Sequence, residues 1–92
     1  MSSNNEKKLF EAILSIDSIE ECKMFFYDLC TPSELEEFST RWLIVRLLNE
    51  KKPYRQISLE TGVSTTTISR VARFLNHGNY GYKTILERIT KS

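Results

Sequence analysis

Residues 53–75 read PYRQISLETGVSTTTISRVARFL, and the fold turns on how this stretch is understood. Ile57 anchors a short first helix, Gly62 supplies a left-handed turn that a residue with a Cβ enters only with strain, and Val63 fills the gap that follows. Ser64 then offers an oxygen to the free backbone N–H groups of a second helix, whose inner face is Ile68 and Val71. The spacing is that of a helix-turn-helix, a motif whose second helix enters the major groove of DNA. Thr65, Thr66, Ser69, Arg70 and Arg73 are left on the outward side. Short hydroxyl side chains allow close approach to bases or backbone, and Arg55, Arg70 and Arg73 can make charge-assisted bonds to phosphate. With Ser64 they form the expected DNA-binding set, and no Asp or Glu occurs from 61 to 86 to repel an anion.

The charge distribution agrees with this reading. Over 92 residues the net charge is only +1, but residues 1–40 hold three Lys against nine Asp and Glu, a net of −6. Residues 41–92 hold ten Lys and Arg against three Glu, a net of +7. Such a division points to an anionic partner met by the second half alone. A chain of this size builds one core, and a hydrophobic content of 40% is enough for it to fold. The longest clean apolar run, Trp42 to Val45, is far short of the roughly 18 residues a spanning helix needs. The N-terminus also lacks the apolar core of a signal peptide, so the expected location is cytoplasmic with no membrane contact.

Helical periodicity continues upstream. Asn4 or Asn5 is a candidate cap for a first helix carrying Leu9, Phe10, Ile13 and Leu14. Asp17 or Ser18 opens a second, with the stripe Ile19, Cys22, Phe26, Leu29 and Cys30. The two cysteines lie on that stripe without a second pair, which makes them buried reduced thiols rather than a disulfide or a metal site. Thr31-Pro32-Ser33-Glu34 starts a third helix: Pro costs no hydrogen bond in the first turn, and Glu34 stands where a capping box needs it. Leu35, Phe38, Trp42, Val45 and Leu48 line that helix, and Leu43, Ile44 and Leu47 widen the stripe beyond what one neighbour covers. A second subunit is the expected cover. His77 closes the second reader helix before a C-terminal Gly78, and a last helix from Tyr80 or Tyr82 to Ile89 should bury Tyr82, Ile85, Leu86 and Ile89.

Several of these residues also carry a resemblance to a known family. Leu29-Cys30-Thr31-Pro32, Thr40-Arg41, Leu47-Leu48, Gln56-Ile57, Thr61-Gly62 and Thr67-Ile68-Ser69-Arg70 resemble the tryptophan repressor family and its YerC/YecD-like branch, from about residue 30 to 75. The resemblance implies an all-α, six-helix fold and an intertwined homodimer whose two reader heads face successive major grooves. Residues 1–52 would be dimerisation helices, 53–76 the helix-turn-helix and 77–92 a C-terminal dimerisation helix. By the same resemblance, Arg55, Thr65, Thr66 and Ser69 fall where the family meets operator DNA. Thr31, Arg41, Thr67 and Arg70 fall where it holds its amino acid corepressor. The small residues that make room for that ligand are replaced here by Val71 and Phe74, which would fill its volume.

The expectation is therefore a homodimeric regulator, repressing by sign, that binds palindromic double-stranded DNA without tryptophan, cofactor or metal. Two other classes would leave different marks. An enzyme would need an acid pair, a phosphate loop or a nucleophile with its base, and none is visible. An interaction module, with a purely structural helix-turn-helix, would show little salt dependence, whereas binding through several phosphates weakens steeply with salt.

Overall fold

In the computed structural model, which describes residues 2–91 and the side chains of 4–91, the described residues form helices and no strand. The elements are α1 (Ser2–Leu14), α2 (Ile19–Leu29), α3 (Pro32–Asn49), α4 (Tyr54–Thr61), α5 (Thr65–His77) and α6 (Gly81–Thr90). Met1 and Ser92, the outer limits of the expected dimerisation segments, lie outside the described residues. The chain divides into two units, residues 1–36 and 37–92.

In the first unit, α1 already runs from Ser2, so neither Asn4 nor Asn5 caps it. The cap expected for α2 falls on Ser18, whose Oγ accepts the Glu21 N–H at 3.1 Å, while Glu21 reaches back to the Asp17 N–H at 3.0 Å. Thr31 and Glu34 form the reciprocal box at the start of α3. The Thr31 hydroxyl accepts the Glu34 N–H at 3.1 Å, and the Glu34 carboxylate accepts the Thr31 N–H at 2.8 Å.

The burial expected of α2 is not found. Ile19 is 84% exposed, Leu29 is exposed, Phe26 is half-buried, and no residue of the helix is fully buried. Cys22 and Cys30 are free thiols and only half-buried, not core. Within this unit two short helices supply no further layer to close over the stripe.

The second unit holds the core. Ile44, Val45 and Leu47 of α3, Ile57 of α4, Ile68 and Val71 of α5 and Leu86 of α6 form one buried cluster. Trp42, Leu43, Leu48, Val63, Leu75 and Tyr82 pack around it, half-buried. The C-terminus of α3 closes with the Lys52 N–H on the Leu47 carbonyl and the Lys51 N–H on that of Leu48. This pair of bonds puts Lys51 at φ 66, where glycine is commoner.

Gly78 ends α5 at φ −91, where a Cβ would stand 2.2 Å from the Phe74 carbonyl oxygen, and the left-handed residue that follows is Tyr80 at φ 65. The burial expected along the last helix is corrected. On α6 only Leu86 is buried; Tyr82 is half-buried, and Ile85 and Ile89 are exposed.

Candidate nucleic-acid interface

The turn between α4 and α5 is held by hydrogen bonds that follow from its residue types. Gly62 sits at φ 77 and its N–H donates to the Ser58 carbonyl at 2.9 Å. Thr61 Oγ1 donates to the Ile57 carbonyl at 2.7 Å and accepts the Val63 N–H at 3.1 Å. One hydroxyl thus closes the helix end and fixes the exit from the turn. Val63 turns inward onto the core. At the next residue, Ser64 caps α5 from an extended backbone (φ −66, ψ 151), with its Oγ accepting the Thr67 N–H at 3.2 Å.

The two faces of α5 then separate cleanly. Ile68, Val71 and Ala72 are buried. Ser64, Thr65, Thr66, Ser69, Arg70 and Arg73 are exposed, as is Arg55 on α4. Among the described residues, no carboxylate stands within ion-pair distance of Arg55, Arg70 or Arg73. Glu60 is the lone acid between 51 and 86, and it is occupied: Lys52 Nζ lies 3.4 Å from it and Gln56 Nε2 donates to it at 2.8 Å. Such exposed pairs contribute little to stability, but this one offsets the one carboxylate of the helix-turn-helix segment.

Of the four residues expected around a corepressor, Thr31, Arg41 and Thr67 have hydrogen-bond partners within the chain. Thr31 belongs to the first unit, where it caps α3. In the second unit, Arg41 Nη2 bonds Glu37 Oε1 at 2.9 Å, one helical turn away, and its guanidinium lies 5.8 Å from the centre of the Phe38 ring. Thr67 Oγ1 accepts from Ser64 Oγ at 3.1 Å. Thr67 and Arg70 share a face of α5 by their spacing, and Val71 is buried beside them. The exposed ring of Phe74 lines an open apolar cleft of about 670 Å³ together with Trp42, Tyr82, Ile85 and Ile89, with Asn79 and Gly81 at its margin. Sequence reading did not find this cleft, although the four-residue spacing of Ile85 and Ile89 was its visible trace. Among the described residues no group of His, Cys, Asp or Glu is placed to hold a metal ion, and no helix is long and apolar enough to cross a membrane.

Four helices, α3 to α6, around a small core, with a capped reader helix presented by a glycine turn, define an all-α helix-turn-helix protein. The family model described as "Trp repressor protein" matches residues 4–90, and the chain belongs to that family, one of regulators and not of enzymes. It is similar to the uncharacterised YerC of Bacillus subtilis strain 168, with 46% identity over 85 residues, 92% of this chain and 82% of that one. The crystal structure of a TrpR-like protein from Eubacterium eligens ATCC 27750 superposes with a TM-score of 0.90 at 42% identity, covering 96% of this chain and 91% of the other. A provisional Trp repressor from Staphylococcus aureus gives 0.89 at 41% identity, covering 96% and 88%. These likenesses bear out the all-α, Trp-repressor-like fold and the YerC-like branch.

Proposed function

We propose that the protein is a sequence-specific, DNA-binding transcriptional repressor that acts in the cytoplasm as a homodimer on a palindromic operator. The observation that carries this reading is the outer face of α5. Two arginines free of ion pairs, Arg70 and Arg73, and a row of exposed hydroxyls stand on a helix that is capped, seated on the core and cleared of negative charge, with Arg55 exposed on α4 beside it. Thr65, Thr66 and Ser69 meet the groove, Ser64 stands at its edge as the helix cap, and Arg55, Arg70 and Arg73 take phosphate or base edges.

The dimer is supported by apolar surface that a monomer would leave in water. Leu14 is 85% exposed in the first unit, and Phe74 and Ile89 are 58% and 57% exposed in the second. Tryptophan is not required. The bulk of Val71 and Phe74 supports this, as does Glu37, which already gives Arg41 the carboxylate an amino acid ligand would bring. Thr31, Arg41, Thr67 and Arg70 then serve the fold and the interface instead of a ligand, and the protein works without a cofactor or metal.

Selection of random duplexes at about 0.15 M salt, with and without L-tryptophan, tests the whole reading. An enriched palindrome in both arms is expected. Enrichment only with tryptophan overturns the corepressor-free part. No enrichment in either arm, with binding to a protein partner that is flat in salt, makes the helix-turn-helix structural.

A further inference from the structure

Four hydroxyls in a row, Ser64 to Thr67, open α5, and the structure divides them into two pairs. Ser64 and Thr67 are spent on each other: Ser64 Oγ donates to Thr67 Oγ1 at 3.1 Å and accepts the Thr67 N–H at 3.2 Å. Thr65 and Thr66 are exposed, and neither hydroxyl has a partner among the described residues. They are the side chains of this turn that remain open to a groove.

Their chemistry limits what they can read. From 61 to 69 there is no Asn, Gln, Asp, Glu, Lys or Arg. This turn therefore lacks the side chains that identify adenine, guanine or cytosine by paired or directed hydrogen bonds. A threonine hydroxyl bonds donors and acceptors alike and discriminates little. Its methyl group does discriminate, because thymine alone among the four bases presents a methyl group in the major groove.

We propose that Thr65 and Thr66 read thymine through its C5-methyl group, so that each operator half-site carries thymine opposite the first turn of α5. The assignment rests on the DNA-binding reading above and adds the base chemistry to it. Arg70 and Arg73, one and two turns further along, supply charge and not this contact.

The test is a thymine-to-uracil scan of the selected duplex, which removes one methyl at a time and leaves every hydrogen-bonding group in place. Uracil at one or two positions per half-site should raise Kd about threefold to fivefold, the effect of losing one buried methyl. Thr66→Ser and Thr65→Ser keep the hydroxyl and lose the methyl. Each should show the same loss on the thymine duplex and no further loss with uracil at its own position. Thr66→Val keeps the methyl and should keep the sensitivity to uracil. Tight specific binding with no position changing by more than about twofold overturns the assignment while leaving DNA binding intact. Failure to bind any duplex specifically overturns both, so the two failures are distinguishable.

Discussion

Helices α2 and α5 begin in the same way and end differently. Each is opened by a serine in extended backbone whose Oγ accepts an N–H three residues on, from Glu21 at 3.1 Å and from Thr67 at 3.2 Å. Each carries an apolar stripe at helical spacing. Yet α5 buries Ile68, Val71 and Ala72, whereas α2 buries nothing and leaves Ile19 almost fully in water. Capping and periodicity decide that a helix exists; burial of its stripe depends on how many other elements offer a surface. In the second unit α4 and α6 both pack on α5, and α3 contributes Ile44, Val45 and Leu47 to the same cluster. The reader helix is thus seated within its own unit, while the stripe of α2 stays open within its own, and in the proposed assembly a second copy would cover it.

The sharpest way to break that contrast is to truncate one buried and one open isoleucine. Ile68→Ala should cost about 2 to 5 kcal/mol, the usual range for a core aliphatic reduced to alanine, and should do so at every protein concentration. Ile19→Ala should instead lower the melting temperature only where wild-type stability rises with concentration, because its contribution is made on association. Thermal denaturation of both variants over a wide concentration range reads the difference. Equal, concentration-independent losses would show that α2 is packed within the monomer after all.

The next effects belong to the reader helix. Arg70→Ala should weaken operator binding by about 1 to 3 kcal/mol and leave the melting temperature unchanged, since Arg70 is exposed and makes no ion pair among the described residues. An unchanged affinity would remove it from the interface. Gly62→Ala places a Cβ at φ 77 with no neighbour within 4 Å. The loss is therefore purely conformational, about 1 to 2 kcal/mol of stability. A larger loss in denaturant titration would mean that the turn has a packing role the structure does not show.

Much of this organisation was legible in the residues, for physical reasons. Ser18, Thr31, Pro32, Gly62 and Ser64 act within one turn of themselves, and each does what its type predicts. The inward set Ile57, Ile68 and Val71 followed from period alone. What failed depended on distant parts of the chain. Ile19, Cys22 and Cys30 were expected to be buried because a stripe shows which face is apolar, not whether anything covers it. The reason for Gly78, its close approach to the Phe74 backbone, and the left-handed backbone of Tyr80 are set by the path of the chain and not by residue type. At the interface, exposure of Thr65, Thr66, Ser69 and the arginines was readable from α5 alone. The pairing of Ser64 with Thr67 and the cleft beside Phe74 were not, the first because a side-chain bond inside a cap leaves no trace in the spacing and the second because three helices build it.

The smallest effect concerns the junction where α3 begins, and it tests whether local chemistry in the open unit contributes at all. The Thr31 N–H, and after it the Thr31 side chain, hold the Glu34 carboxylate below its ordinary value of 4.5. A carboxylate whose pKa is lowered by folding stabilises the folded state fully above the unfolded value. That contribution fades as pH falls through the lowered folded value. Denaturation midpoints should therefore be insensitive to this group from about pH 7 to 6 and should decline on its account below the ordinary glutamate range. Glu34→Gln keeps an acceptor for the Thr31 N–H but cannot titrate, so its acid limb should be shallower than that of the wild type, with the two curves converging as the pH drops. Thr31→Ala should cost about 1 kcal/mol near neutral pH through the lost cap and should retain part of the acid limb, because the backbone N–H still holds the carboxylate. Parallel wild-type and Glu34→Gln curves would mean that the box is formed in the unfolded chain as well, and that α3 owes its start to packing of Ile44 and Val45 and not to its cap.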